Sequence, residues 1–267
     1  MPLPTLAALV EPKGAGGAVP GFAVPLDDAR GKAALAEPVQ RGAYGIASLD
    51  RKTVLKMLVV SKEEAGFDPV AAAASMAGQL ASDVQDRIRA TWTLLQFTFE
   101  SHDPGVTPAV GFLLDVARRA GELTEGVVGD PLSRRYVLPE SLPHLVDKIS
   151  ADVVCAVHSR TATDGMAVCT LGMQKFGLPE FEVSGISEEN VGPAGNLALG
   201  AAQRVLDHGP VSPGDVLGVP GAHFRVAVGG LDRGFWDGIA CYDLVSEEVA
   251  GTDAALQAWK ESTGHDG

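Results

Sequence analysis

The chain has 267 residues, 46% hydrophobic and 21% charged, which excludes a disordered polypeptide and supplies apolar material for one large core or two half-sized units. Its formal net charge is -13, so nucleic-acid phosphates or anionic lipid would need a local basic patch. The arginine pairs Arg87/Arg89, Arg118/Arg119 and Arg134/Arg135 read as solvated faces instead, and neither nucleic acid nor membrane is expected as a partner.

Cys155, Cys169 and Cys241 form a sparse set without a CxxC, which fits a reducing cytoplasm better than a disulfide framework. Met1 to Leu9 lacks a basic n-region and carries Pro2 and Pro4, a poor signal peptide. No apolar run approaches the roughly 20 residues of a membrane helix; the richest, Val106 to Leu123, is broken by Asp115, Arg118 and Arg119. A cytoplasmic location is the expectation.

In chain order, residues 1–50 read as a Pro/Gly-rich arm. Gly14-Ala15-Gly16-Gly17 follows no strand and opens no helix, so it reads as linker rather than nucleotide loop. Order is expected from Thr53, with a strand to Val60. Asp68-Pro69 then gives an N-cap with proline at the first helical position. Ala72, Met76, Leu80, Val84 and Ile88 place one apolar stripe on a single long helix. Trp92 to Phe99 alternates as a strand, with Leu95, Phe97 and Phe99 on one face. Thr107-Pro108 opens a second helix that Gly126 closes, and a turn at Gly129-Asp130-Pro131 leads to Arg134–Leu138. The segment 51–147 thus reads β-α-β-α-β, and Pro139 and Pro143 mark a hinge.

The segment 148–267 reads as strand-rich. Strands are expected at Asp152–His158, Met166–Leu171, Leu178–Val183, Asp215–Val219, His223–Val228 and Ile239–Leu244. Ser187 caps a helix that runs to Asp207 and ends at Gly209, and Leu256 with Trp259 marks a terminal helix. The fold class this defines is α+β: two β/α halves with helices packed on mixed or antiparallel sheets.

No HExxH, GxSxG or Walker loop is present, so candidate chemistry rests on scattered polar residues. His158 sits at a strand end beside Ser159 and Arg160, while Cys155 and Cys169 read as core side chains. His102-Asp103 reads either as a base with its orienting carboxylate or, preferably, as a loop residue ahead of a cap. Glu180 and Glu182 share a strand face, where like charges must be solvated, ion-paired or bound to a cation. The structural reading sets Lys175, Arg225 or an arginine of another strand against them. Phe235 and Trp236 lie in a Gly-rich loop, as a partner anchor or as a lid folded onto the core. Cysteines and histidines lack ligand spacing, so neither a structural zinc nor any cofactor is expected.

One stretch runs Leu123-Thr124-Glu125-Gly126-Val127-Val128-Gly129-Asp130-Pro131 with Arg135-Tyr136 (a GVVxDP segment). Another runs Thr170-Leu171-Gly172-Met173 through Phe176-Gly177-Leu178-Pro179-Glu180 to Glu182 (a TxGMxKFGLPExE signature). Both resemble segments of an uncharacterised bacterial α+β family, a domain of unknown function. Gly214-Asp215-Val216-Leu217-Gly218 and Phe224-Arg225-Val226 fit as well. The resemblance implies an α+β fold in a bacterial cytoplasm and carries over no catalytic residue.

Two functional expectations follow. The first is a non-catalytic binding or protein-interaction module whose acidic charge suits a basic protein partner. The alternative is an enzyme with His158, Glu180, Glu182 and His102 in a polar cleft between the halves.

Overall fold

The computed structural model describes residues 3–10, 22–23, 36–48, 53–76, 80–101, 107–142, 149–219, 221–230, 232–248 and 250–264. They divide into one unit of Met1–Asp130 with Tyr136–Lys148 and a second of Pro131–Arg135 with Ile149–Gly267.

In the first unit, β1 (Phe22–Ala23), β2 (Gly42–Ser48), β3 (Thr53–Ser61) and β4 (Thr93–Ser101) form an antiparallel sheet in that order. Period-two alternation decides the faces: Leu55, Met57 and Val59 are buried, while Lys56 and Leu58 are exposed. Helix α4 (Thr107–Thr124) supplies Phe112, Val116 and Ala120 to the same core, and α1 (Leu6–Val10) supplies Leu6 and Leu9. Order therefore begins well before Thr53, because the amino-terminal apolar residues belong to this core.

The expected long helix is two helices, α2 (Pro69–Ser75) and α3 (Ser82–Arg89). Ala81 is extended at φ -60, ψ 152, which breaks the apolar stripe between them. Asp68 caps α2 as its sequence predicts, accepting the amides of Val70 at 2.9 Å and Ala71 at 3.0 Å. Arg118 and Arg119 are not a solvated face. Both are buried around Asp115: Arg118 donates to Asp115 at 2.8 Å and to Glu122 at 2.5 Å, and Arg119 also pairs with Asp115. Arg119 further donates to the Leu9 carbonyl at 3.1 Å, tying α1 to α4. A hairpin of β5 (Val128–Asp130) and β6 (Arg135–Val137) follows α4.

In the second unit, α5 (Ala151–Val154) occupies the start of the expected first strand, and β7 (Ala156–Ala162) begins only after Cys155. Then come β8 (Gly165–Leu171), β9 (Glu180–Ile186), α6 (Val191–His208), β10 (Val216–Val219), β11 (Ala222–Val228), α7 (Arg233–Trp236), β12 (Cys241–Ser246) and α8 (Thr252–Thr263). The sheet order is β10-β11-β12-β9-β8-β7, antiparallel throughout except for the parallel pair β12 and β9. This mixed sheet with helices outside it is an α+β architecture. Helix α6 buries a small-residue face, including Ala194, Gly195, Ala198, Ala201 and Ala202, and lies close over the sheet. A Cβ on Gly195 would stand 2.9 Å from a methyl of Val157. The α6 entry is held by Asp253 of α8, which accepts the Ser187 amide at 3.1 Å and the Asn190 side-chain amide at 2.7 Å; the Ser187 side chain makes no capping bond. Among the described residues, no helix is long and apolar enough to cross a membrane.

Candidate functional site

The polar residues of interest gather on four adjacent strands of the second unit's sheet, β12, β9, β8 and the edge strand β7. Register places His158 opposite Cys169, Cys169 opposite Glu182, and Glu182 opposite Asp243, so these four form one transverse row across β7, β8, β9 and β12. Directly opposed residues share a face. Arg160, two positions after His158, lies on that face as well.

Glu180 opens β9 and is 0% exposed. Its carboxylate accepts the Gly172 amide at 2.8 Å, the Gln174 amide at 3.3 Å and the Thr170 hydroxyl at 2.9 Å. Thr170 in turn accepts the Phe181 amide at 3.0 Å. Burial pushes the Glu180 carboxyl above its ordinary range, and these donors pull against that shift. The glycines complete the device. Gly172 sits at φ +137 with the Val154 carbonyl 2.3 Å from where a Cβ would stand. Gly177 takes the left-handed conformation that ends the 3-10 turn Met173–Phe176. The stretch from Thr170 to Glu180 is thus a clamp that holds a tight β8–β9 connection.

Glu182 is buried and accepts from Arg160 at 2.7 Å. Arg160 also reaches Asp232 at 3.3 Å, and its guanidinium lies 4.8 Å from the centroid of the Phe235 ring. Arg134 covers the same ring at 5.0 Å. Asp243 completes the group; its Oδ1 is buried with no hydrogen-bond partner among the described residues, 2.1 Å from where a Cβ on Gly229 would stand. One guanidinium therefore faces three carboxylates. Burial raises the Glu182 carboxyl, with Arg160 opposing, and burial raises Asp243 in the same way. Burial and the Glu182 charge push the Cys169 thiol up to about 12, and burial raises Cys241 also. Neither thiol is a thiolate near neutrality.

His158 donates from Nε2 to the Ser133 carbonyl at 3.0 Å, which fixes its tautomer and engages it in holding the 131–135 loop. His102 lies outside the described residues. Lys175 donates to the Val154 carbonyl, and Arg225 pairs with Glu247. Trp236 is 1% exposed, packed on Cys169, Leu171 and Cys241, so it is a lid on the core and not a surface anchor. Phe235 is half-buried between Arg134 and Arg160. Of the Arg134/Arg135 pair, Arg134 is exposed, whereas Arg135 is half-buried and donates to the carbonyls of Val153 and Cys155.

The expected arginine of another strand is Arg160, which pairs with Glu182; sequence reasoning passed over Asp243, which sheet register sets opposite Glu182, and Asp232, which reaches the group through Arg160. It also passed over Trp92, 71% exposed with Lys62 Nζ 4.2 Å from its ring centroid, whose exposure no periodicity reveals. Among the described residues no three His, Cys, Asp or Glu side chains are placed to hold a metal ion. Comparison of the chain with family models, curated proteins and solved structures returns no match.

Proposed function

We propose that this chain is a non-catalytic protein-interaction module of a bacterial cytoplasm, related to the family its two signature stretches resemble. The observation that carries this reading is the engagement of His158, Glu180 and Glu182 by the protein's own groups: a loop carbonyl, loop amides and Arg160. Each is tied into a contact that holds the fold, and the thiols beside them are held protonated. At the surface, Trp92 offers a large apolar ring of the kind that anchors interfaces. The net charge of -13 suits a basic partner that electrostatic attraction steers in.

An enzymatic reading draws on one observation, the raised carboxyls of Glu182 and Asp243. It requires a substrate to reach Asp243 Oδ1, which is buried against Gly229. Affinity capture from bacterial lysate on the immobilised full chain separates the readings. The interaction reading expects a defined protein captured at low salt, released at high salt and lost with Trp92→Ala. Capture of nothing by the folded wild-type chain at low salt would count against it.

A further inference from the structure

The two sheets end in strands of very different kinds. In the six-stranded sheet, β10 is only 4 residues long and carries Gly218 in a positive-φ conformation. Its other edge, β7, has the 131–135 loop beside it: His158 bonds to Ser133, and Arg135 to the carbonyls of Asp152, Val153 and Cys155 just ahead of the strand. Short length, glycine kinks and covering loops are the usual protections of a sheet edge. In the four-stranded sheet, β1 is 2 residues long.

The remaining edge, β4, shows none of these protections among the described residues. Thr93–Ser101 runs for 9 residues without proline or bulge, paired along its whole length to β3, and no described residue pairs with its other side. Its one charge, Glu100, is neutralised by Lys56 at 2.6 Å. Leu95 and Phe97 pack against the buried core cluster yet stay partly exposed.

We propose that two copies of this chain associate edge to edge through β4, antiparallel and two-fold symmetric about Phe97. The strand is its own complement in that register. Leu95 opposes Phe99 of the second copy and Phe97 opposes Phe97, which continues the apolar face across the axis. Gln96 opposes Thr98, Thr93 opposes Ser101, and Glu100 meets Leu94, so no like charges face one another. Because the contact is isologous, the assembly closes at two copies. This goes beyond the interaction reading above and needs no other protein.

The test is sedimentation of the full chain over a wide concentration range, with thermal melts to verify folding. Gln96 and Thr98 are exposed, so both accept charge without entering the core. Wild type is expected to show a monomer–dimer equilibrium. Gln96→Lys with Thr98→Lys sets lysine against lysine twice across the axis and weakens the dimer by about tenfold. It does so while reducing the net negative charge, which on its own would favour association. Gln96→Lys with Thr98→Glu sets opposite charges in the same places and restores wild-type affinity or better. A wild-type monomer throughout, open-ended assembly, or three proteins that dimerise alike would overturn the proposal.

Discussion

The carboxylate of Glu180 accepts the backbone amide of Gly172 at 2.8 Å, back across the turn that joins β8 to β9, with no exposure to solvent. Truncating it strands the amides of Gly172 and Gln174 and the Thr170 hydroxyl in the interior. Unmade hydrogen bonds to a buried charged group destabilise by about 1.5–3 kcal/mol. Glu180→Ala is therefore expected to lower unfolding free energy by about 3 kcal/mol. Glu180→Gln, which keeps one carbonyl oxygen as acceptor, is expected to lower it by about 1 kcal/mol. Urea titration followed by circular dichroism gives both values; equal losses would remove the clamp's role.

The two glycines of that turn separate close approach from backbone conformation. Gly172 has both a positive φ and the Val154 carbonyl in the way, whereas Gly177 at φ +66 has nothing within 4 Å of a Cβ. Gly177→Ala is expected to cost about 1 kcal/mol, the ordinary left-handed penalty. Gly172→Ala should cost about 3 kcal/mol or more, because backbone must shift as well. The same titration ranks the two.

How much of this was legible beforehand varied with the reach of the interaction. The Asp68 cap and the β4 alternation are local and could be read directly. The α2–α3 break was missed because alanine-rich sequence carries the helical period through Ala81 even though its backbone is extended there. The buried Asp115–Arg118–Arg119 cluster was misread as a solvated face, although its i, i+3 and i+4 spacing sits among the core-facing Phe112, Val116 and Ala120. Which arginine meets Glu182 was not legible, because the Arg160–Glu182 pair depends on two strand registers and an irregularity between Met166 and Ala167.

The acid row predicts an unusual pH dependence. A carboxyl whose folded-state pKa is raised holds its proton longer when folded. Its stabilising contribution is complete below the unfolded pKa, about 3.9 for aspartate, and is lost as pH rises through the raised value. Asp243 shifts in this direction through burial, as do Glu180 and Glu182. Asp243→Asn removes one such group. Its melting temperature is expected to exceed wild type at pH 7–8, with the advantage shrinking toward pH 4. A variant less stable than wild type at pH 8 and equal to it at pH 4 would reverse the assignment.

Thiol chemistry gives a further check. Cys155, Cys169 and Cys241 are all buried thiols outside any disulfide, and Cys169 is pushed up to about 12. Iodoacetamide at pH 8 is expected to leave the native protein unmodified by mass spectrometry and to add three groups after denaturation. Fast native labelling at Cys169 would mean that the sheet face opens readily.

The parallel pairing of β9 with β12 bears on how the second unit is made. Cys241 meets Glu180 across roughly 60 intervening residues, and contacts of such separation form late and slowly. Until the ribosome has released the chain beyond Ser246, β7-β8-β9 and β10-β11 are separate fragments, each with an unpaired edge at what becomes the middle of the sheet. A nascent chain stalled before Cys241 therefore presents two sticky edges at once. This unit completes its sheet only after Ser246 has left the ribosome, and any chaperone dependence it has falls before that point.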